Sequence, residues 1–306
     1  MTSVLVTGAG GYIGQRVTRQ LATAGHEVRA LVRTSVAWPP GVTEVVGDLV
    51  RDQDVAARAA EGMDVVVHLA GANEAAMAGD PDRAMAETVT AARNVATSRV
   101  GRVIYLSTVH VYGDSLLPGS VVSESTEVRP VHPYAMARLA CEEVFAAALP
   151  DCVSFRLTNG VGAPAAPSVQ RWTLVANELC REGALSGLLT LRTSGAQWRD
   201  FVALSDVEQV VASVVREPVP AGVYNLASGE PMTVRDLALL IADRFDALTG
   251  SRPTLVAPDL PDISPGPYRI DIDRLSDLGL SATTPLADAV DETILFCLEH
   301  RDALAG

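Results

Sequence analysis

The chain has 306 residues, 48% of them hydrophobic and 20% charged, enough to bury a sizeable core and too apolar to be disordered. A formal net charge of −13 argues against nucleic acid and anionic membranes as partners, while a local basic pocket still admits an anionic small molecule. No apolar run reaches the ~18 residues of a membrane helix, no basic leader precedes the first strand, and Cys141, Cys152, Cys180 and Cys297 lack CxxC or zinc spacing, so reduced thiols in a cytoplasmic protein without a metal are expected.

Ser3 to Thr7 reads as a strand, and Gly8-Ala9-Gly10-Gly11-Tyr12-Ile13-Gly14 as a tight turn opening a helix. Ile13, Val17, Leu21 and Ala22 then fall at helical spacing. Gly8 suits the turn, Gly11 leaves room for a pyrophosphate, and Gly14 allows close packing of helix on strand. Free N–H groups at the helix start, Tyr12 and Ile13 included, would face the phosphates. The alternative is a glycine-rich loop with no ligand.

Glu27 to Val32 is the second strand. Val32 stands where NAD-binding folds carry an acidic residue for the ribose hydroxyls, and Arg33 follows. That pair favours the 2′-phosphate of NADP over NAD, unless Arg33 is simply a solvated loop residue. Val42 to Gly47 is the third strand. Asp48-Leu49 follows it, with Asp48 either accepting from an adenine amino group or capping a helix over Gln53 to Ala60. Asp64 to Leu69 is a fourth, nearly all-apolar strand, as a parallel sheet buried on both faces requires. It runs into His68-Leu69-Ala70-Gly71, whose small residues admit a ligand, and in which His68 reads as a core histidine. A helix from about Pro81 to Ser98 and a fifth strand from Arg102 to Ser107 complete the alternation. The fold class is α/β, a Rossmann-type doubly wound parallel sheet, with ligands expected at the C-terminal strand ends.

The fifth strand ends in Ser107-Thr108-Val109-His110-Val111-Tyr112-Gly113. Farther on, Pro133 suits a helix's first turn, and Tyr134 and Arg138, four apart, share one face. Tyrosine hydroxyls are weak acids, and a neighbouring cation favours phenolate. Thr108 is therefore a candidate to hold a carbonyl while Tyr134 moves its proton and hydride passes to or from a nicotinamide. The alternative is a core tyrosine with a surface arginine.

These residues resemble the extended short-chain dehydrogenase/reductases, a family of nucleotide-sugar epimerases, dehydratases and ketoreductases. The resemblance covers nearly the whole chain. Gly8, Gly11 and Gly14 match its GxxGxxG; Asp48-Leu49 its adenine-side motif; Leu69-Ala70-Gly71 its third turn. Thr108 and Tyr134 match its catalytic hydroxyl and tyrosine. Arg156 to Gly162, Trp198 to Val202 with Asp206-Val207, and Tyr224 to Gly229 resemble its RxxNxxGP, RDF…DV and YNxGSG stretches. The chain also departs from the pattern. YxxxK is here YxxxR, so by the resemblance Arg138 keeps the positive charge of the family's lysine while changing its contact with the nicotinamide ribose. An early helix asparagine is Thr88, though Asn94 is kept, and an arginine before Pro-Gly is replaced in Ser264-Pro265-Gly266.

The resemblance implies a dinucleotide-binding domain of 1–160 plus about 202–226. A smaller C-terminal α/β substrate-binding domain takes about 161–201 plus 227–306. Val109, His110, Asn159 and Arg199 become substrate candidates, with Arg192 or Arg269 assisting at phosphate. Trp172, Asn177 and Trp198 either line the cleft or pack in the core. Thr233 reads as a helix cap and Gly279 as a helix stop.

The expected activity is NADPH-dependent reduction of a nucleoside-diphosphate keto-deoxysugar or a related natural-product ketone, by a homodimer. One alternative is an NAD-dependent nucleotide-sugar epimerase, dehydratase or decarboxylase. Dehydration is disfavoured because Val109-His110 stands where dehydratases carry Asp-Glu. A second alternative is a non-catalytic dinucleotide-binding protein.

Overall fold

The computed structural model describes residues 1–169, 171–259 and 266–305. The N-terminal half runs β1 (Ser3–Thr7), α1 (Tyr12–Thr23), β2 (Glu27–Val32), β3 (Val42–Val46), α2 (Val55–Ala60), β4 (Val65–His68), α3 (Glu74–Gly79), α4 (Pro81–Ala96) and β5 (Arg102–Thr108). It continues through a 3-10 turn (Val109–Ser115) to β6 (Val121–Val122), α5 (Pro133–Ala148), β7 (Asp151–Leu157) and β8 (Asn159–Val161). Then come α6 (Val175–Ser186), β9 (Leu188–Thr190), β10 (Trp198–Ala203), α7 (Leu204–Arg216), β11 (Gly222–Leu226), β12 (Pro231–Thr233) and α8 (Val234–Thr249). The last elements are β13 (Thr254–Val256), β14 (Arg269–Ile270), α9 (Asp273–Ser276), α10 (Leu286–Glu299) and α11 (Arg301–Leu304).

Seven strands form one parallel sheet in the order β11-β7-β5-β4-β1-β2-β3. Alternate side chains of each strand serve opposite faces. Val4 and Val6 of β1 pack with Val17 and Leu21 of α1 and with Val207, Val211 and Val214 of α7. Leu5, between them, faces Val55 of α2, Ala92 of α4 and Phe145 of α5. Both faces are thus covered, which explains the near-continuous apolar strands. Strand order reverses at β1, whose neighbours are β2 and β4, so a crevice opens above its C-terminal end.

A second core lies outside this sheet. Leu179 and Cys180 of α6, Leu237 and Ile241 of α8, and Val290 and Ile294 of α10 converge there with Phe201 of β10. Helix α1 ties the two cores together. Arg16 is held by Glu208 of α7, by Glu292 of α10 at 2.6 Å, and by the Ala163 carbonyl at 2.6 Å.

Local signals fare as follows. Thr233 caps α8 in a reciprocal box with Asp236. Gly279, at φ 72°, closes the turn after α9. Asp48 does not cap α2, which starts later, after Asp54. Its Oδ1 accepts instead from the Val50 N–H at 2.8 Å and the Arg51 N–H at 3.2 Å, the local bond two residues on that Asp makes readily in turns. Ser264 and Pro265 lie outside the described residues.

Candidate active site

The glycine turn is shaped by contact. Gly8 has φ 67°, and a Cβ there would lie 2.6 Å from the Ala70 nitrogen. A Cβ on Gly14 would stand 2.1 Å from the Gly8 carbonyl oxygen. At Gly11 the only close atom among the described residues is that same oxygen at 3.2 Å, so the space above it is open. Helix α1 begins there with no side-chain cap and no acidic residue in its first turn. Its leading N–H groups are thus left for an anion. The Tyr12 side chain is committed elsewhere: its hydroxyl donates to the Gly162 carbonyl and lies 3.2 Å from Asn177 Oδ1. Only the Tyr12 backbone remains for a phosphate, and Ile13 packs on the core.

Beyond β2, the Arg33 side chain is exposed and forms no ion pair among the described residues. Next to it is Asp48. The Val50 N–H, then the Arg51 N–H, and finally the charges of Arg51 and Arg33 hold the Asp48 carboxyl below its usual range against desolvation. The loop that follows β2 is pulled down by Glu44, which accepts from Ser35, the Val36 N–H and the Trp38 indole. Leu49 is buried, and its carbonyl accepts from Asn94 at 2.7 Å.

Across the crevice, Leu69 N–H donates to the Thr7 carbonyl at 3.1 Å, extending the sheet by one residue. His68 is fully buried with Nδ1 2.8 Å from Thr7 Oγ1, and its Nε2 has no partner among the described residues. Burial, with the Arg138 charge second, lowers its pKa to about 3, so the ring is neutral. His68 is therefore a core histidine, satisfied on one side only.

At the end of β5, Thr108 Oγ1 accepts from the His110 N–H at 3.3 Å, leaving the hydroxyl proton free to donate. Helix α5 packs against β5 and against the 3-10 turn. Its start is fixed by Pro133 and by His132 Nδ1, which accepts from the Tyr134 N–H at 3.2 Å. The Tyr134 ring is half-buried, and its hydroxyl makes no hydrogen bond among the described residues. The Arg138 guanidinium lies 5.1 Å from the Tyr134 ring centroid. It also meets Gly71, whose missing Cβ would sit 3.1 Å from Nη1.

The remaining candidates divide. Desolvation and then the charge of Arg199 hold the His110 imidazole below the ordinary range, with Glu74 acting oppositely. Burial raises the pKa of the Tyr268 hydroxyl and the charge of Arg199 acts against it, so Arg199 lies within electrostatic reach of both His110 and Tyr268. Val109 does not join them: its side chain is buried against Tyr112, Val122 and Ile270. Asn159 donates to the Asp200 carbonyl at 2.8 Å. Trp172 belongs to the second core, and Asn177 bridges Tyr12 to the Arg171 carbonyl, so neither is free to line the cleft. Arg192 pairs with Glu178 on the wall of an outer groove of about 570 Å³. Arg269 is exposed and forms no ion pair among the described residues.

Sequence reasoning missed the His132 cap. It also missed the Glu74–Arg171 ion pair at 2.6 Å, which crosses from α3 to the segment before α6. Neither residue stands in a motif, and 97 positions separate the pair.

A parallel sheet with an uncapped glycine turn at its switch point, and a helix bearing a Tyr–Arg pair packed on the strand that ends in Thr108, defines a dinucleotide-dependent α/β enzyme. The chain belongs to the NAD dependent epimerase/dehydratase family, whose model matches residues 4–227, and it is an NAD(P)-dependent enzyme of the extended short-chain dehydrogenase/reductase type. It is 30% identical over 255 residues, 78% of each chain, to a dTDP-6-deoxy-L-talose 4-dehydrogenase (NAD(P)(+)) of Kitasatospora kifunensis. It is 25% identical, over 78% of this chain and 79% of the relative, to a GDP-6-deoxy-D-mannose reductase of Pseudomonas aeruginosa. Among solved structures, MoeE5 in complex with UDP-glucose and NAD superposes with a TM-score of 0.79 at 25% identity, covering 98% of this chain and 99% of that one. No helix among the described residues is long and apolar enough to cross a membrane.

Proposed function

We propose that the protein is an NADPH-dependent ketoreductase acting on a nucleoside-diphosphate 4-keto-deoxysugar. The observation that carries this reading is the uncommitted Tyr134 hydroxyl on the helix that holds the buried Arg138 cation, packed on the strand that ends in Thr108. The cradle fits a dinucleotide, since a side chain at Gly11 would fill the space above the uncapped α1. Gly8, Gly11, Gly14 and the Tyr12 and Ile13 N–H groups take the pyrophosphate. Asp48 and Leu49 flank the adenine, and Leu69, Ala70 and Gly71 border the nicotinamide half. Arg33, with no acid at position 32, receives the 2′-phosphate.

When bound, the nicotinamide supplies hydride to the substrate's carbonyl carbon. Thr108 donates a hydrogen bond to the carbonyl oxygen. Tyr134 gives that oxygen its proton, and Arg138 stabilises the phenolate left behind, which solvent reprotonates. One ketone, one NADPH and one proton yield one alcohol and one NADP. Arg199 and His110 face the substrate, with Arg199 toward its phosphates. The second core supports assigning about 161–201 plus 227–306 to a substrate-binding domain. Relatives named as a reductase and as a 4-dehydrogenase of deoxysugars support the substrate class.

The test is NADPH oxidation with dTDP- and GDP-linked 4-keto-6-deoxysugars. Tyr134→Phe should lose about 10²- to 10⁴-fold in kcat, the range of general acid catalysis. Full turnover in that variant would remove Tyr134 from the chemistry. A second reading, an epimerase that recycles tightly held NAD, is favoured by the NAD in the MoeE5 structure. Dinucleotide released from the purified protein separates the two: NAD(H) in stoichiometric amount supports the epimerase.

A further inference from the structure

Two of the positions at which the sequence leaves the pattern it resembles, Thr88 and Arg138, meet on one residue, Ala72. Thr88 is on α4 and 2% exposed. Its hydroxyl donates to the Ala84 carbonyl at 2.8 Å, which turns a lone pair outward, and that lone pair accepts the Ala72 N–H at 3.1 Å. On the other side of Ala72, the carbonyl accepts from Arg138 Nη2 at 3.4 Å. The Arg138 guanidinium is buried, its Nε has no partner among the described residues, and it lies against the Gly71 backbone and near the Tyr134 ring. A cation with five donors thus has the Ala72 carbonyl and Tyr105 as its polar contacts. Of these, the Ala72 contact ties the place of its charge to the Gly71-Ala72 turn. That turn is pinned from behind by Thr88.

We propose that Thr88 is a positioning residue for Arg138: through Ala72 it sets the guanidinium under Tyr134 and at the mouth of the dinucleotide site, and the two residues act as a matched pair. This rests on the role given to Arg138 above. Loss of the Thr88 hydroxyl leaves the Ala72 N–H unpaired and frees the turn to move. The charge of Arg138 then moves with it.

The experiment is a double-mutant cycle read by dinucleotide binding, so it needs no substrate. NADPH affinity, followed by cofactor fluorescence, is measured for the wild type, Thr88→Val, Arg138→Met and the pair, with thermal midpoints as a check on folding. Thr88→Val keeps the shape and removes the hydroxyl. It should weaken binding about two- to ten-fold, the worth of one hydrogen bond, in the wild-type background and not in the Arg138→Met background. Thr88→Ser, which keeps the hydroxyl, should bind as the wild type does. An equal loss in both backgrounds, no loss from Thr88→Val, or a Thr88→Ser as impaired as Thr88→Val would overturn the proposal. Unchanged affinity in Arg138→Met alone would overturn the role of Arg138 and the proposal with it. Failure to turn over keto-sugars would touch only the substrate reading, because the cycle does not use it.

Discussion

One methyl group distinguishes what Gly11 and Gly14 do. At Gly14 it would lie 2.1 Å from the Gly8 carbonyl oxygen and 2.9 Å from Ala9 Cα, both backbone atoms that cannot step aside. At Gly11 it would meet only that oxygen, at 3.2 Å, and otherwise open space. Gly11→Ala should therefore fold with a thermal midpoint within a few degrees of wild type, yet bind NADPH at least about ten-fold more weakly, because the methyl stands where the backbone must approach the pyrophosphate. A Gly11→Ala protein that binds normally would show that the phosphates lie elsewhere. This turn was legible in the sequence because strand, glycines and helix are contiguous. The engagement of Tyr12 was not, since its hydroxyl partner, Gly162, is 150 positions away.

Helix α5 carries three polar residues at four-residue spacing on one face: Tyr134, Arg138 and Glu142. The first two were legible from their four-residue interval. Glu142 has the same interval, but an acid late in a helix reads as solvent-facing until the sheet beneath it is known. Here it is 5% exposed, accepts from Ser107 and pairs with Arg156 at 2.8 Å. Ser107 adjoins Thr108, so the pair fixes α5 against the strand end that holds the candidate hydroxyl. Arg156 in turn lies 4.8 Å from the Tyr112 ring centroid, and Tyr112 donates to Asn225 at 2.7 Å. The network thus spans β5, α5, β7 and β11. Glu142→Gln leaves a buried guanidinium without its counter-charge. It should cost about 3–5 kcal/mol of unfolding free energy in urea, the usual penalty for breaking a buried pair from one side. A loss below about 1 kcal/mol would mean that water reaches Arg156.

At the scale of the whole molecule, the doubly wound sheet follows from sequence: alternating apolar strands and amphipathic helices leave few other arrangements. The second core was less legible, because its helices pack across segments separated by the returning β11. The sheet has one consequence for pH that no motif announces. Covering both faces buries His68, whose pKa falls to about 3 while Nε2 goes unpartnered. In the unfolded chain the same imidazole titrates near its ordinary value of about 6.5. Between those values the unfolded state binds a proton that the native state refuses, so stability falls as pH falls through 6.5. The slope is about 1.4 kcal/mol per pH unit for one histidine, once pH is well below 6.5. Desolvation lowers His26 and His110 as well, which adds to the slope with the same sign. Urea unfolding of the wild type should therefore lose stability steeply between pH 6 and pH 5. His68→Gln, whatever its stability at pH 7.5, should show a slope shallower by about one proton over that window. Parallel slopes for the two proteins would mean that His68 is protonated in the folded state.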